Sequence, residues 1–370
     1  MAPAVWSPFG GPSDVPVRSI AGVSIGPNML HVVDEQGTVW SCEVWGDPPD
    51  GFFNPAEYWT SQGTPAAGVT AAADVGVLDA EGSEPRPTWV FVIGSDRRLW
   101  ARTAEDVGGA AHWTWVDHGA PDGNPIKTGV APIAVDAFGG SPAVHVLADD
   151  GRLWMRSMSG DGWRWRDRGV PEGWPISAIV GAAALPTDAE PLPIAAVATG
   201  DGHLWISTPD GDSFNWSDLG TPAPEEKVVA GIGIEVVTEP TASRALNIVV
   251  LGSPGGQVWT CRWEPGKPPS WKAHGRPADA RIRSAVGTAS DPADEAGCLI
   301  SVIGNDHQVW VIASASPGAA WSRWDPPSDA TTVAAGRAVM LGRPCAVVLD
   351  AARRVHIVTP ATGFADEEAR

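Results

Sequence analysis

The chain is written in short apolar runs of strand length, separated by turns and never by a helical period. In residues 69–119, VTAAADVGVL is small and apolar and WVFVIG is bulky and β-branched. The turn Ser95-Asp96-Arg97-Arg98 and the run LWART follow, and HWTWVDHG closes the set after a loop. Strand-length runs bounded by turn residues predict four β-strands. The same unit recurs along the chain. Its marker is Trp, three residues, Gly, one residue, Pro. It stands at Trp6-Gly10-Pro12, Trp59-Gly63-Pro65, Trp115-Gly119-Pro121, Trp165-Gly169-Pro171, Trp216-Gly220-Pro222 and Trp271-Gly275-Pro277. A seventh copy, Trp321 to Pro327, has Asp325 where the glycine should be. The markers lie 50 to 56 residues apart. A fixed period of this size predicts a repeat architecture.

The size of the side chains changes systematically within each unit. First strands, at 19–26, 69–78, 129–139, 176–185, 228–237, 282–290 and 333–341, are rich in Ala, Gly and Ser. Second strands carry a β-branched or Leu residue eight before the next Trp: Val32, Val92, Val146, Val197, Leu251, Val302 and Val348. Third strands carry Trp40, Trp100, Trp154, Trp205, Trp259, Trp310 and, in the last unit, His356. Sheets arranged radially crowd at the axis and diverge outward, so small-to-large progression predicts propeller blades. The expected fold is all-β, a seven-bladed β-propeller of four-stranded antiparallel blades. Only three strands remain for the last unit, and Ala4–Gly10 is an orphan fourth strand at the start. The N-terminal strand is therefore expected to close the last blade. Residues 1–362 are expected to form a single domain of seven repeats, and 363–370 a frayed polar tail.

Composition narrows the partners. The formal net charge is −19, which disfavours phosphate backbones and anionic lipid surfaces. Neither a nucleic acid nor a membrane is an expected partner. No apolar run is long enough to span a bilayer. The start, MAPAVWSPFGGP, lacks the basic and apolar segments of a secretory leader, and a cytoplasmic location is expected. Cys42, Cys261, Cys298 and Cys345 show no zinc-ligand spacing. His31 and His145 fall in equivalent strands two units apart and cannot share an ion. No metal and no cofactor is expected. No P-loop pattern is present.

The unit is shown best by Leu153-Trp154-Met155-Arg156, Trp163-Arg164-Trp165 and Gly169. It resembles the repeat of the bacterial seven-bladed propeller lectins that bind fucose and O-methylated sugars, and more distantly tectonin-type propellers. The resemblance covers all seven units. It implies shallow sugar sites between adjacent blades, with Trp faces against the sugar ring. The chain departs from that pattern in its longer, less alike units, in His356, and in the individual loops 47–57 and 80–87. Such asymmetry points to one or a few specialised sites.

The marker tryptophans recur because every blade needs them, so candidates for function are residues that do not recur. Two positions before the marker Trp stand Ala4, Glu57, Trp113, Trp163, Phe214, Pro269 and Ala319. Aromatic residues in only three consecutive units make Trp113, Trp163 and Phe214 stacking candidates. Arg102 and Arg156 follow their third-strand Trp by two, beside a ring face, and suit a sugar hydroxyl or a carboxylate. Trp45, Trp174, Trp263 and Trp324 lie outside the pattern and are read as loop recognition residues. A second constellation comes from the first strands. Asp74 aligns with the small series Gly22, Ala131, Gly181, Gly233, Gly287 and Ala338, and Arg337, Asp136 and Glu235 sit in comparable strands. At the mouth of a central channel they would serve as acid, base or cation. The leading expectation is a lectin-like module that stacks sugars on Trp faces between blades. The alternative is an enzyme of lyase, isomerase or cyclase type with one aromatic-lined site at the channel mouth, acting on a small metabolite. A protein-interaction scaffold is the third. The residues leave open whether the chain is an enzyme and whether it assembles into an oligomer.

Overall fold

Among the described residues, the apolar runs of the sequence form strands in the computed structural model. It describes residues 4–12, 15–24, 29–43, 59–79, 88–107, 110–128, 133–138, 141–159, 162–187, 191–238, 244–278, 280–290, 298–314, 318–326, 332–334, 338–340 and 344–360. Trp45, Arg337 and the tail after 362 lie outside them. Blade 1 is built from Val17–Ser24, Met29–Asp34, Val39–Glu43 and Trp59–Gly63. Blade 2 is Ala71–Asp79, Thr88–Gly94, Leu99–Val107 and Ala110–Gly119. Blade 3 is Ile133–Phe138, Ser141–Leu147, Leu153–Ser159 and Gly162–Gly169, and blade 4 is Ile176–Leu185, Leu192–Thr199, Leu204–Asp210 and Ser213–Gly220. Blade 5 comprises Lys227–Thr238, Arg244–Ser253, Val258–Trp263 and Ser270–Gly275. Blade 6 comprises Ile282–Ser290, Cys298–Gly304, Val309–Ala313 and Ser322–Trp324. Blade 7 has a divided inner strand, Thr332–Ala334 and Ala338–Met340, both paired with Pro344–Asp350, followed by Val355–Pro360. Ala4–Gly10 adds antiparallel to Val355–Pro360, so the N-terminal strand completes the last blade.

The core is distributed between blades. Each of the seven blade-to-blade interfaces among the described residues holds its own apolar cluster. The interface of blades 7 and 1, for example, packs Phe9, Val347, Leu349 and Ile357 against Val17, Leu30, Val32 and Trp59. Inner strands of successive blades touch around the ring, and the small residues there are a spatial requirement. A Cβ on Gly231 would stand 2.5 Å from Val180 Cα, and one on Gly181 2.7 Å from Ile234 Cγ2. The four cysteines are buried and carry no disulfide.

The marker Trp-x3-Gly-x-Pro has a definite physical job. In six blades the Gly has φ between +62° and +76° (Gly10, Gly63, Gly119, Gly169, Gly220, Gly275), a conformation glycine adopts at little cost. It creates a bulge in the pairing of the third and fourth strands. The bulge offers the carbonyl of the residue before the Gly to the next blade. There the next marker Trp donates its indole N–H: Trp59 to Phe9 O, Trp115 to Gln62 O, Trp165 to His118 O, Trp216 to Arg168 O, Trp271 to Leu219 O and Trp321 to His274 O, at 2.8–3.2 Å. The following Pro is buried in all six copies. Blade 6 has Asp325 instead of Gly and no bulge. The indole of Trp6, which faces that position from blade 7, is buried without a partner.

Two expectations are corrected by the register. Val250, not Leu251, pairs with Trp259, because the blade 5 hairpin is one residue longer around the cis bond Ser253-Pro254. Gly76, not Asp74, occupies the site of Gly22. Gly76 pairs with Phe91 as Gly22 pairs with His31, whereas Asp74 is an extra residue between Ala73 and Val75. His356 is no decayed copy of a Trp. It reaches Asp350 Oδ2 with Nε2 at 2.9 Å, the bond that Trp40 Nε1 makes to Asp34 Oδ2 at 2.8 Å.

Two measurements check this account. Trp216→Phe leaves the Arg168 carbonyl without its donor, and Trp6→Phe removes an N–H that has none. Chemical denaturation should therefore show Trp216→Phe costing about 1 kcal/mol more than Trp6→Phe; equal losses would remove the indole bond from the list of stabilising contacts. The second concerns acid. Burial holds His31 down to about 3 and His274 down to about 4, against about 6.5 in an unfolded chain. Between pH 6.5 and 5 the unfolded chain takes up protons that the fold refuses, so stability falls as pH falls, by up to about 1.4 kcal/mol per pH unit for each histidine. Below the folded value the loss from each group is complete. Denaturation midpoints at pH 7, 6 and 5 should fall, and His274→Gln should flatten the slope.

Candidate functional site

The bulge that serves the marker Trp also turns one side chain into the next groove. Going round the ring these side chains are Phe9, Gln62, His118, Arg168, Leu219 and His274, and Trp324 stands at the same position in blade 6, where the bulge is missing. Opposite them, on the next blade, stand the fourth-strand residues two before the marker Trp and the third-strand residues that pair with it. Three consecutive grooves, between blades 1 and 2, 2 and 3, and 3 and 4, bring together an aromatic residue and an arginine.

In the first groove Arg102 pairs across strands with Trp115, and its guanidinium carbon lies 5.8 Å from that ring's centre. Its Nη1 donates to Trp113 O at 2.7 Å. Trp113 is half-buried, and its ring makes no aromatic contact among the described residues. In the second groove Arg156 repeats the arrangement over Trp165 at 5.4 Å. Trp163 is half-buried beside it, with its ring 4.4 Å from His118, 5.4 Å from Trp89 and 6.2 Å from Phe91, each edge to face. Burial, aided by the Arg156 charge, pushes His118 down to about 4, so this imidazole is neutral at physiological pH. A cation over an indole face is favourable by about 0.5–1 kcal/mol at such half-exposed places, and it fixes the guanidinium beside the aromatic platform.

The third groove is built from the other side. Where Arg102 and Arg156 would recur stands Ser207, and the guanidinium comes from Arg168 of blade 3, only 2% exposed. Arg168 donates to Ser207 O, Ser207 Oγ and Pro193 O at 2.8–3.2 Å and to His145 Nδ1 at 3.0 Å. Its guanidinium also lies 4.4 Å from the centre of the Phe214 ring. A guanidinium only donates, so His145 accepts on Nδ1 and carries its proton on Nε2. This groove is closed by its own residues: one face of Phe214 is covered.

Of the other candidates, Trp174 is on the connection between blades 3 and 4 and is 47% exposed. Trp263 and Trp324 are not loop residues. Trp263 ends a third strand, is 8% exposed and packs in the cluster between blades 4 and 5. Trp324 ends a fourth strand, is 1% exposed and fills the interface of blades 6 and 7. The channel candidates are not gathered at one level. Asp136 pairs with Ala143 and Glu235 with Asn247, each three residues below the Trp-paired position, while Asp74 lies at the level of Val92. Three strand residues span about 10 Å. Glu235 accepts a hydrogen bond from Thr288 Oγ1 of the next blade at 2.7 Å. Among the described residues no cluster of His, Cys, Asp and Glu could hold a metal ion, and no helix is long and apolar enough to cross a membrane. Sequence reasoning missed Arg168, His145 as its partner, and His118. Arg168 and His118 stand at the position before the recurring Gly, which changes from unit to unit, and His145 carries no such signal.

No protein-family model and no curated protein sequence matches the chain. Solved structures do match by shape. The BP39L lectin from Burkholderia pseudomallei superposes with a TM-score of 0.58 at 16% identity, over 94% of this chain and 97% of that one. Aleuria aurantia lectin, as a mutant in complex with Fucalpha1-6GlcNAc, gives 0.50 at 12%, over 85% and 99%. The WD40 domain of SCAP from fission yeast gives 0.55 at 10%, over 97% and 98%. At these identities the likeness is one of fold, and it is shared by solved lectins and a WD40 domain alike.

Proposed function

We propose that the protein is a carbohydrate-binding propeller whose working sites are the grooves between blades 1 and 2 and between blades 2 and 3. The observation that carries this reading is the pairing of a half-buried, non-recurring Trp with an arginine held over the marker Trp, once in each groove. An aromatic face beside fixed hydrogen-bond donors is what a pyranose ring requires: its C–H face packs on the ring and its hydroxyls take the donors. Similarity in fold to solved lectins, one of them holding a fucosylated disaccharide, supports it. The channel-mouth enzyme is not favoured, since Asp74 is offset along the channel from Asp136 and Glu235. Single sites of this shallow kind bind weakly, in about the millimolar to micromolar range, and gain strength from multiplicity.

A glycan array probed with the full chain tests the proposal, followed by titration of the best glycan. Trp113→Ala and Trp163→Ala should each weaken binding about tenfold, since loss of a stacking aromatic costs on the order of 1–2 kcal/mol. Trp6→Phe, where Val358 takes the place that Arg102 has beside Trp115, should leave it unchanged. A silent array, or binding indifferent to both alanine variants, would sink the reading.

A further inference from the structure

The two working grooves share an electrostatic peculiarity. Among the described residues no carboxylate pairs with Arg102 or Arg156, although the protein carries 44 acidic residues against 25 basic ones. Other arginines of the same blades do find acids: Arg98 with Asp117, Arg97 with Asp149, and Arg152 with Asp167. Those pairs are on the rim, where pairing is worth least. Arg102 and Arg156 are half-buried instead, and the Nε of each is buried without a hydrogen-bond partner. Arg102 uses one donor on Trp113 O; Arg156 uses none. Burial lowers both guanidiniums from the usual arginine range, and no neighbouring acid opposes it. A desolvated cation with idle donors is costly unless something negative completes it. The strand context has the same sign. Residues 151–169 hold five arginines against two aspartates, in a chain of net charge −19.

We infer that the groups taken by Arg102 and Arg156 are anions, so that the preferred ligands are acidic sugars bearing a carboxylate or a sulfate ester, two sites to a chain. This rests on the carbohydrate reading above and specifies its ligand class. Each guanidinium, steadied by cation–π contact with its marker Trp, meets the acidic group while Trp113 or Trp163 meets the ring. Planar carboxylate and tetrahedral sulfate both accept from an arginine fork. The groove between blades 3 and 4 takes no part, because Arg168 is bound to Ser207, Pro193 and His145.

The test is an array carrying glucuronate-, sialate- and sulfate-terminated glycans beside their neutral counterparts, read at low and at high salt. Acidic glycans should bind about tenfold more tightly than neutral ones, as a charge-assisted bond of ~1.5 kcal/mol implies. The preference should shrink at high salt, since the grooves are open to solvent. The carboxylate and sulfate arms separate the two sources of charge. In Arg102→Gln with Arg156→Gln the preference should fall to about one, with a melting temperature at or above that of the parent, because two uncompensated cations have gone. Calorimetry should count two sites. Equal or better binding of neutral glycans overturns the inference and leaves carbohydrate binding standing. An acid preference that survives in the double variant also overturns it. Silence towards every glycan overturns both.

Discussion

One bond holds the architecture to its period: the indole N–H of six of the seven marker tryptophans donating to a carbonyl in the preceding blade. Everything else in the marker serves that bond. Glycine at positive φ makes the bulge, the bulge presents the carbonyl, and the buried Pro seats the connection to the next blade. A propeller blade has no covalent link to its neighbour except the connecting segment, and its flanking faces are otherwise held by non-directional apolar contact. A directed bond at the outer edge sets the spacing between blades where they diverge most. The exception supports the dependence. In blade 6 Asp325 replaces the Gly, the bulge is gone, Trp6 loses its acceptor, and the large Trp324 fills the interface instead.

The same bulge explains how a symmetric scaffold presents a different side chain in each groove. The backbone at that position is fixed by the Gly that follows, and the side chain is left to vary. Gln62, His118, Arg168 and Leu219 occupy one geometric place and give four grooves of different chemistry. Arg168 shows how far this can go: it delivers from one blade the charge that Arg102 and Arg156 deliver from the other. Fold is carried by the repeated residues, and the proposed recognition rests on the unrepeated residues beside them.

The ring, the blade count and its closure were legible because they follow from period and side-chain size, and both are printed in the sequence. Trp113, Trp163, Arg102 and Arg156, the residues of the proposed sites, stand out in the sequence as deviations from the repeat. Register was not legible. The pairing of Val250 rather than Leu251 depends on a hairpin one residue longer, and the place of Asp74 depends on which residue is extruded as a bulge. Neither leaves a compositional trace. Trp263 and Trp324 read as loop residues because they break the pattern, yet large side chains are also what a widening interface needs for filling. The role of Arg168 was hidden because its partners, Ser207, Pro193 and His145, converge only when two blades pack.

The pairing of Ala4–Gly10 with Val355–Pro360 imposes an order in time. Blades 1 to 6 are each made of consecutive strands, so each sheet can form from local chain as it is synthesised. The last sheet joins segments some 350 residues apart in sequence, and such distant pairing is slow because the closing chain must search. Until then the first strand waits with its ladder groups unpaired, and both apolar faces bordering blade 7 stay open to water. Ala4–Gly10, made before the strands of blades 1 to 6, is thus among the last segments to be folded, and the ring stays vulnerable at that seam until it shuts.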